Sequence, residues 1–373
     1  MMRNYIKKMS WSVFLLLAPL FIMASTASAA EFWIRAGSTT LTMPDNEVVT
    51  VWGYALDEDD DFSTVDGTIT SPGPLLEVPP GDTTLMIHLK NDLPEPTCLV
   101  IPGQMATMTP VWNDGSSGSR PSLTARVRSF TSEVAENGGE ATYAWNNVKP
   151  GTYLYQSGTH PAVQVQMGLF GGLKKDFGTG LVAYEGIYYN RESILIFSEI
   201  DPLIHNAVAT GNFGPAGIVT STISYSPKYF LLNGRAELFF TGIVPEAFVG
   251  ERILIRMLNA GLRTRAPVIL GSFNYMNIVA EDGNMRPYTR ERRLALNLYA
   301  GKTMDVYIDI HSLSSMGLYD RRGFVSVGAA EGTGTPTGQT IVGLAAIPSG
   351  TTTIQQPTTG DGGGGGCFIS TLF

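Results

Sequence analysis

Apolar and polar residues alternate with a period of two in short runs along most of this chain. Phe32 and Ile34, then Val49 and Val51, share one face along residues 32–56, the spacing of half-buried strands. Residues 71–103 read as a turn at Ser71-Pro72-Gly73-Pro74, a short strand over 75–78, a turn at Gly81-Asp82, and an alternating strand over 84–89. Residues 151–172, GTYLYQSGTHPAVQVQMGLFGG, give a strand over 152–155 and a tight polar bend over 156–160. A run in which Gln164 and Gln166 alternate with apolar residues follows, then a Gly-rich turn. Helical periodicity is scarce. Short strands separated by Gly and Pro turns predict an all-β chain of two Greek-key β-sandwiches or barrels side by side.

Composition supports that architecture and adds a destination. The chain has 373 residues, 43% hydrophobic and 16% charged, with 42 Gly and 22 Pro. That is long enough for two ordinary domains rich in turns. Residues 1–29 have a basic start (Arg3, Lys7, Lys8), an apolar run over 13–23 and the small-residue site Ala27-Ser28-Ala29. This is the pattern of a secretory signal peptide. Its apolar run is short for a membrane span, and no later stretch is apolar enough to cross. The expected location is therefore outside the cytoplasm, periplasmic or extracellular, including the cell surface. The domains are expected at 30–180 and 181–348. A flexible Thr/Gly-rich tail over 349–373 follows. The formal net charge of −8 becomes more acidic once the basic leader is removed. An acidic surface argues against nucleic acid as a partner, because nothing would neutralise phosphates.

Five stretches then carry a resemblance. GPLLEVPPGDTTLMIHLKNDLPEP over 73–96 is similar to the first-domain pattern of multicopper oxidases, GPLIRVxxGDxVxVxxxNxLPEPTSIHWHG. GTYLYQSGTHPAVQVQMGLFGG resembles the end of the same domain, GTYxYHSH followed by a Gln-containing loop and MGLYG. ILIFSEIDP (194–202), YFLLNGR (229–235) and GERILIRMLNA (250–260) resemble the second-domain strands of that family in order. The likeness spans roughly residues 32–347 and implies cupredoxin-like domains. It also implies copper, held by His-x-His pairs and a Cys–His set.

The ligands that the resemblance calls for are missing. The family's His-Trp-His-Gly aligns with Val100-Ile101-Pro102-Gly103, and its His-Ser-His with Gln156-Ser157-Gly158. Only four histidines are present, His88, His160, His205 and His311, no two within five residues of each other. His160 with Met167, and the pair Met105 and Met108, are weak ligand sets without a thiolate. Cys98 reads as a small core residue. Asp57, Asp59 and Asp61 have the i, i+2, i+4 spacing of a calcium loop. Phe62 and Thr68, however, stand where that loop needs Gly and Glu. The expectation is a protein without a cofactor and without catalytic residues, a structural or binding protein of the cell surface that self-assembles. The alternative is a copper oxidoreductase whose ligands are shared between subunits. In the tail, Gly362 to Gly366 precede Cys367-Phe368-Ile369. Five glycines make a tether, and a lone thiol beyond it is a point of attachment or intermolecular pairing. The tail is thus the expected contact for self-association or a cell-surface partner. The apolar run 340–347 is expected to add as a strand to the second domain or to an adjacent subunit.

Overall fold

A computed structural model describes residues 29–236, 239–240, 245–270, 275–287, 292–311, 315–322 and 341–347. The first half of the chain begins with β1 (Ala29–Thr42), β2 (Val48–Leu56), β3 (Gly73–Val78) and β4 (Thr84–Asn91). It continues through β5 (Val111–Trp112), β6 (Val127–Ser129), β7 (Gly139–Asn146) and β8 (Gly151–Gln156). Helix α1 (Pro161–Met167), β9 (Phe170–Lys175) and the small pair β10 (Val182–Tyr184) and β11 (Ile187–Tyr188) complete it. The second half opens with β12 (Arg191–Ile200), helix α2 (Pro202–Ala209), β13 (Tyr229–Leu232), β14 (Phe239–Phe240) and β15 (Ala247–Phe248). Then come β16 (Arg252–Asn259), β17 (Pro267–Leu270), β18 (Met276–Glu281), β19 (Asn284–Met285) and β20 (Arg292–Arg293). The last are β21 (Thr303–Asp309), β22 (Ser315–Asp320) and β23 (Ile341–Ile347).

The alternation read from sequence becomes sheet faces. In β4 the burial is strictly alternating: Leu85, Ile87, Leu89 and Asn91 point inward. The first sheet runs β2-β1-β4-β7 and a second runs β3-β9-β8. Ile34, Leu85, Ile87, Trp145, Tyr153, Tyr155 and Leu173 form one core in this half of the chain. The second half repeats the pairing. β12 pairs antiparallel with β13 and parallel with β16, which pairs antiparallel with β21. In the first half β1 pairs in the same way with β2 and β4, and β4 with β7. A separate core gathers Leu195, Phe197, Ile255, Met257, Val306 and Ile308. The chain is therefore all-β with the same strand scheme used twice, two cupredoxin-like sandwiches.

Two details depart from the sequence pattern. The Gln-alternating run is helix α1, with Pro161 in its first turn and Gly168 at its C-terminal end at φ 120°. Period-two alternation arises because Gln164 and Gln166 are both buried against polar partners, not because they line a strand. Helix α2 follows β12 in sequence, yet its Ile204 and Val208 belong to the first core. The run 340–347 contains β23, which pairs antiparallel with β22 and parallel with β14 and β15. It adds to its own second sandwich. Of the expected signal peptide over 1–29 all but Ala29, together with the expected tail over 349–373 and its Cys367, lies outside the described residues.

Candidate functional site

The fold brings together the two segments that the resemblance aligns with the family's histidine motifs. Val100 and Gln156 face each other as an isolated antiparallel bridge, each N–H donating to the other's carbonyl at 2.9 Å. Gly158 sits against the same residue: a Cβ there would lie 2.7 Å from Val100 Cγ1 and 2.9 Å from Cys98 Sγ. Real Cβ atoms do not approach neighbours that closely, so the space an imidazole would need is already filled. Val100 borders a groove of about 210 Å³ in the first sandwich. Pro102 borders a separate cleft of about 480 Å³, shared with Leu154, Asp282 and Tyr299. The four positions do not converge on one cavity, and none carries a donor suited to copper.

Beside the bridge lies a closed set of polar side chains. Gln164 Oε1 accepts from Thr97 Oγ1 at 2.8 Å and from Ser157 Oγ at 2.6 Å. Its Nε2 donates to the Pro96 carbonyl at 2.9 Å. Thr159 Oγ1 donates to Ser129 Oγ at 3.0 Å, and Ser129 Oγ donates to the Thr131 carbonyl at 2.7 Å. All five side chains are buried, and buried polar groups are tolerable only when paired like this. The network joins the segment before Val100, the end of β6, the bend after β8 and helix α1. Hydroxyls and one glutamine thus hold these segments against one another. The Cys98 thiol abuts Ser129 at 3.1 Å, and burial pushes its pKa up. It is an inert core residue, not a nucleophile.

The remaining candidates are scattered. His160 is exposed at the start of α1, whereas Met167 is fully buried at its other end. Seven residues of helix separate them by about 10 Å, too far for a shared ion. Met105 and Met108 are exposed on a loop. His88 lies across the outer face of the first sheet, between Glu31 Oε1 at 2.5 Å and Thr142 Oγ1 at 2.8 Å, stacked on Trp33. His311 is exposed. His205 is buried in α2, where Nδ1 donates to the Thr50 carbonyl at 2.7 Å and burial holds its pKa below the ordinary value. It fixes α2 against β2. Among the described residues, Asp57, Asp59 and Asp61 are the one group of three or more His, Cys, Asp or Glu side chains close enough to hold an ion together. Asp57 is already committed to Arg35 and to the backbone N–H groups of Asp61 and Phe62. Asp59 likewise accepts from Ser63 and Thr64, so the acid run is a self-satisfied turn.

Sequence reading missed a second polar cluster, at the junction of the two sandwiches. Arg256 on β16 is fully buried and meets Asp176, Glu192 at 2.6 Å and Asp305 at 3.7 Å. Its Nη1 donates to Thr152 Oγ1 at 3.0 Å, which in turn donates to Asp305 Oδ2 at 2.8 Å. Burial works against the guanidinium, yet Asp305, Glu192 and Asp176 together hold its pKa above the ordinary value. Burial raises Asp305, with Arg256 opposing that shift. Arg256 interrupts an otherwise unbroken apolar run, Ile253-Leu254-Ile255 before it and Met257-Leu258 after it, and a charge inside such a run was the available signal.

Residues 50–174 match the family described as Multicopper oxidase. No curated protein matches the chain. Among solved structures, the blue copper oxidase from Nitrosomonas europaea is similar with a TM-score of 0.60 and 16% identity, over 86% of each chain. The multicopper oxidase mgLAC has a TM-score of 0.59 at 18% identity, covering 88% of this chain and 89% of the other. The copper nitrite reductase from Nitrosomonas europaea has 0.57 at 16%, covering 86% and 94%. At these identities the likeness shows the shared fold.

Proposed function

We infer that this chain, which carries the multicopper oxidase family pattern over residues 50–174 on two cupredoxin-like sandwiches, is a copper-free member of that lineage. It acts as a binding or structural protein exported to the periplasm or cell surface. One observation carries this reading: the packing of Gly158 against Val100 and Cys98. Together with the closed Thr97–Ser157–Gln164 set, it replaces a ligand constellation with a filled, hydrogen-bonded interior. The side chains around Gly158 are methyls, hydroxyls and a glutamine amide already engaged in hydrogen bonds, and a buried thiol with a raised pKa. Cupredoxin domains without ligands keep their strands because burial, not metal, supplies most of the stability.

The competing reading is a copper oxidoreductase completed by a neighbouring subunit. It requires each chain to contribute imidazole pairs, and Val100, Pro102, Gln156 and Gly158 contribute none. The deciding experiment is metal analysis with a visible spectrum, after incubation with excess copper and dialysis against a mild chelator. The expected result is less than about 0.1 copper per chain, no blue absorbance and no phenol oxidation. One retained copper per chain would overturn the reading.

Surface attachment is assigned to Cys367, a lone thiol beyond five glycines. A Cys367→Ser variant is expected to shift from the cell-surface fraction to the medium. Unchanged partitioning, with identical migration with and without reductant, would remove that role.

A further inference from the structure

The first sheet ends in an uncovered strand. β7 is the last strand in the order β2-β1-β4-β7 and is paired along its whole length with β4 alone. Beside it runs the groove of about 210 Å³, with residues 141–145 of β7 as one wall and residues 106–109 as the other. Both walls are consecutive stretches of chain, so the depression follows a backbone. Among the described residues, no backbone N–H from Met105 to Thr109 donates to another backbone group. An extended peptide laid between the walls would find hydrogen-bonding groups on both sides, the geometry of strand addition. None of the residues lining the groove is charged, although 16% of the chain is. The side chains it offers are hydroxyls, alanines, Met108 and the aromatic pair Tyr143 and Trp145. Trp145 is 2% exposed, and its indole N–H has no partner among the described residues.

We propose that this groove receives the segment Cys367-Phe368-Ile369-Ser370-Thr371-Leu372-Phe373 of a second copy of the chain. The inference deepens the reading of a self-assembling, non-catalytic protein and rests on it. The segment has no charged side chain and no proline, and is rich in aromatic and β-branched residues, a composition suited to strands. It matches the groove in polarity, whereas a charged peptide would lose solvation there without gaining a counter-charge. Geometry favours a neighbour over the chain's own groove. β23 ends at Ile347, paired with Phe248 beside the Arg252 end of β16. Only the opposite end of β16 approaches the cleft that Pro102 of the first sandwich shares with Lys302. Eight strand residues cover about 25 Å. A flexible Gly/Thr-rich linker as long as residues 348–366 would span about 24 Å as a coil, no more than those eight strand residues cover.

The test uses the mature chain in reductant and chelator, so neither Cys367 pairing nor metal contributes. Sedimentation over a concentration series is expected to show self-association that weakens at least tenfold in a chain ending at Asp361. It should weaken comparably in Met108→Glu, which places a charge in the groove at an exposed position. The synthetic peptide SFISTLF, added to the shortened chain, is expected to slow amide exchange across residues 139–146 severalfold. That peptide arm does not depend on how a variant folds. A wild type that stays monomeric, or a shortened chain that associates equally, overturns the proposal. Protection of β7 that is independent of protein concentration and lost on shortening would identify the chain's own tail as occupant, which also overturns it. Since copper is absent throughout, failure here leaves the copper-free reading untouched.

Discussion

Arg256→Ala is expected to destabilise the protein by about 3–5 kcal/mol, the usual cost of breaking a buried ionic cluster by removing one partner. Among the described residues the guanidinium is the only cation paired with Asp305, and it shares Glu192 with Lys174. Without it, Asp305 remains fully buried, with one carboxylate oxygen that has no partner among the described residues. Thr152 and Tyr184 donate to the other oxygen, which does not neutralise the charge. The pH dependence follows from sign. Asp305 already has a pKa above the ordinary carboxylate value because of burial, and loss of Arg256 raises it further. A folded-state pKa above the unfolded one means that stability is lost as pH rises through that interval. The deficit of Arg256→Ala relative to wild type should therefore be larger at pH 8 than at pH 5. Asp305→Asn in the same background should recover part of it. Thermal melts at the two pH values check this; an equal deficit at both would show that Asp305 is not the group left exposed to the loss. Because Thr303 and Thr152 are also joined across this seam, at 2.7 Å, the variant should loosen the contact between the sandwiches before either core melts.

Strand content was legible because it rests on period-two patterning, and β4 shows that pattern without a break from Thr84 to Asn91. That Val100, Pro102, Gln156 and Gly158 carry no imidazole or thiolate was legible too, since it concerns residue identity alone. The hydroxyl set beside them was not. Thr97, Ser129 and the group Ser157, Thr159 and Gln164 lie on three stretches far apart in sequence. A threonine or serine in a turn reads the same whether its hydroxyl meets water or a buried glutamine. The helix α1 was hidden for a related reason. Seven residues are too few to display a 3.6-residue period, and two buried glutamines imitate the alternation of a strand. Arg256 is the converse case. Its inward position was visible in the pattern, but its three acids come from β21, β12 and the end of β9, which only the packing of two sandwiches brings together.

Restoring the family's histidines at all four positions is expected to damage the protein rather than create a copper centre. The substitutions are Val100→His, Pro102→His, Gln156→His and Gly158→His. Gly158 decides the outcome. Its φ is not in the left-handed region, so a side chain is compatible with the backbone, and the obstacle is space alone. Cys98 Sγ, 2.9 Å from the new Cβ, is fully buried and hydrogen-bonded to Ser129, so it has nowhere to withdraw. Overpacking of this kind costs about 1–3 kcal/mol for a single methyl-sized intrusion, and Gly158→Ala alone should fall in that range. An imidazole there must also displace Ser157 or Thr159, which opens the hydroxyl set around Gln164 and leaves buried polar atoms unpaired at about 1–3 kcal/mol each. Gln156→His, by contrast, sits at a half-buried position and should change stability by less than about 1 kcal/mol. The measurement is melting temperature with and without copper for Gly158→Ala, Gln156→His and the fourfold variant. The fourfold variant should melt at least about 10 °C below wild type and gain no copper-dependent increase. If it melted near wild type and rose with one equivalent of copper, the hydroxyl network would be a dormant metal site, and the interior would have kept room for the ion all along.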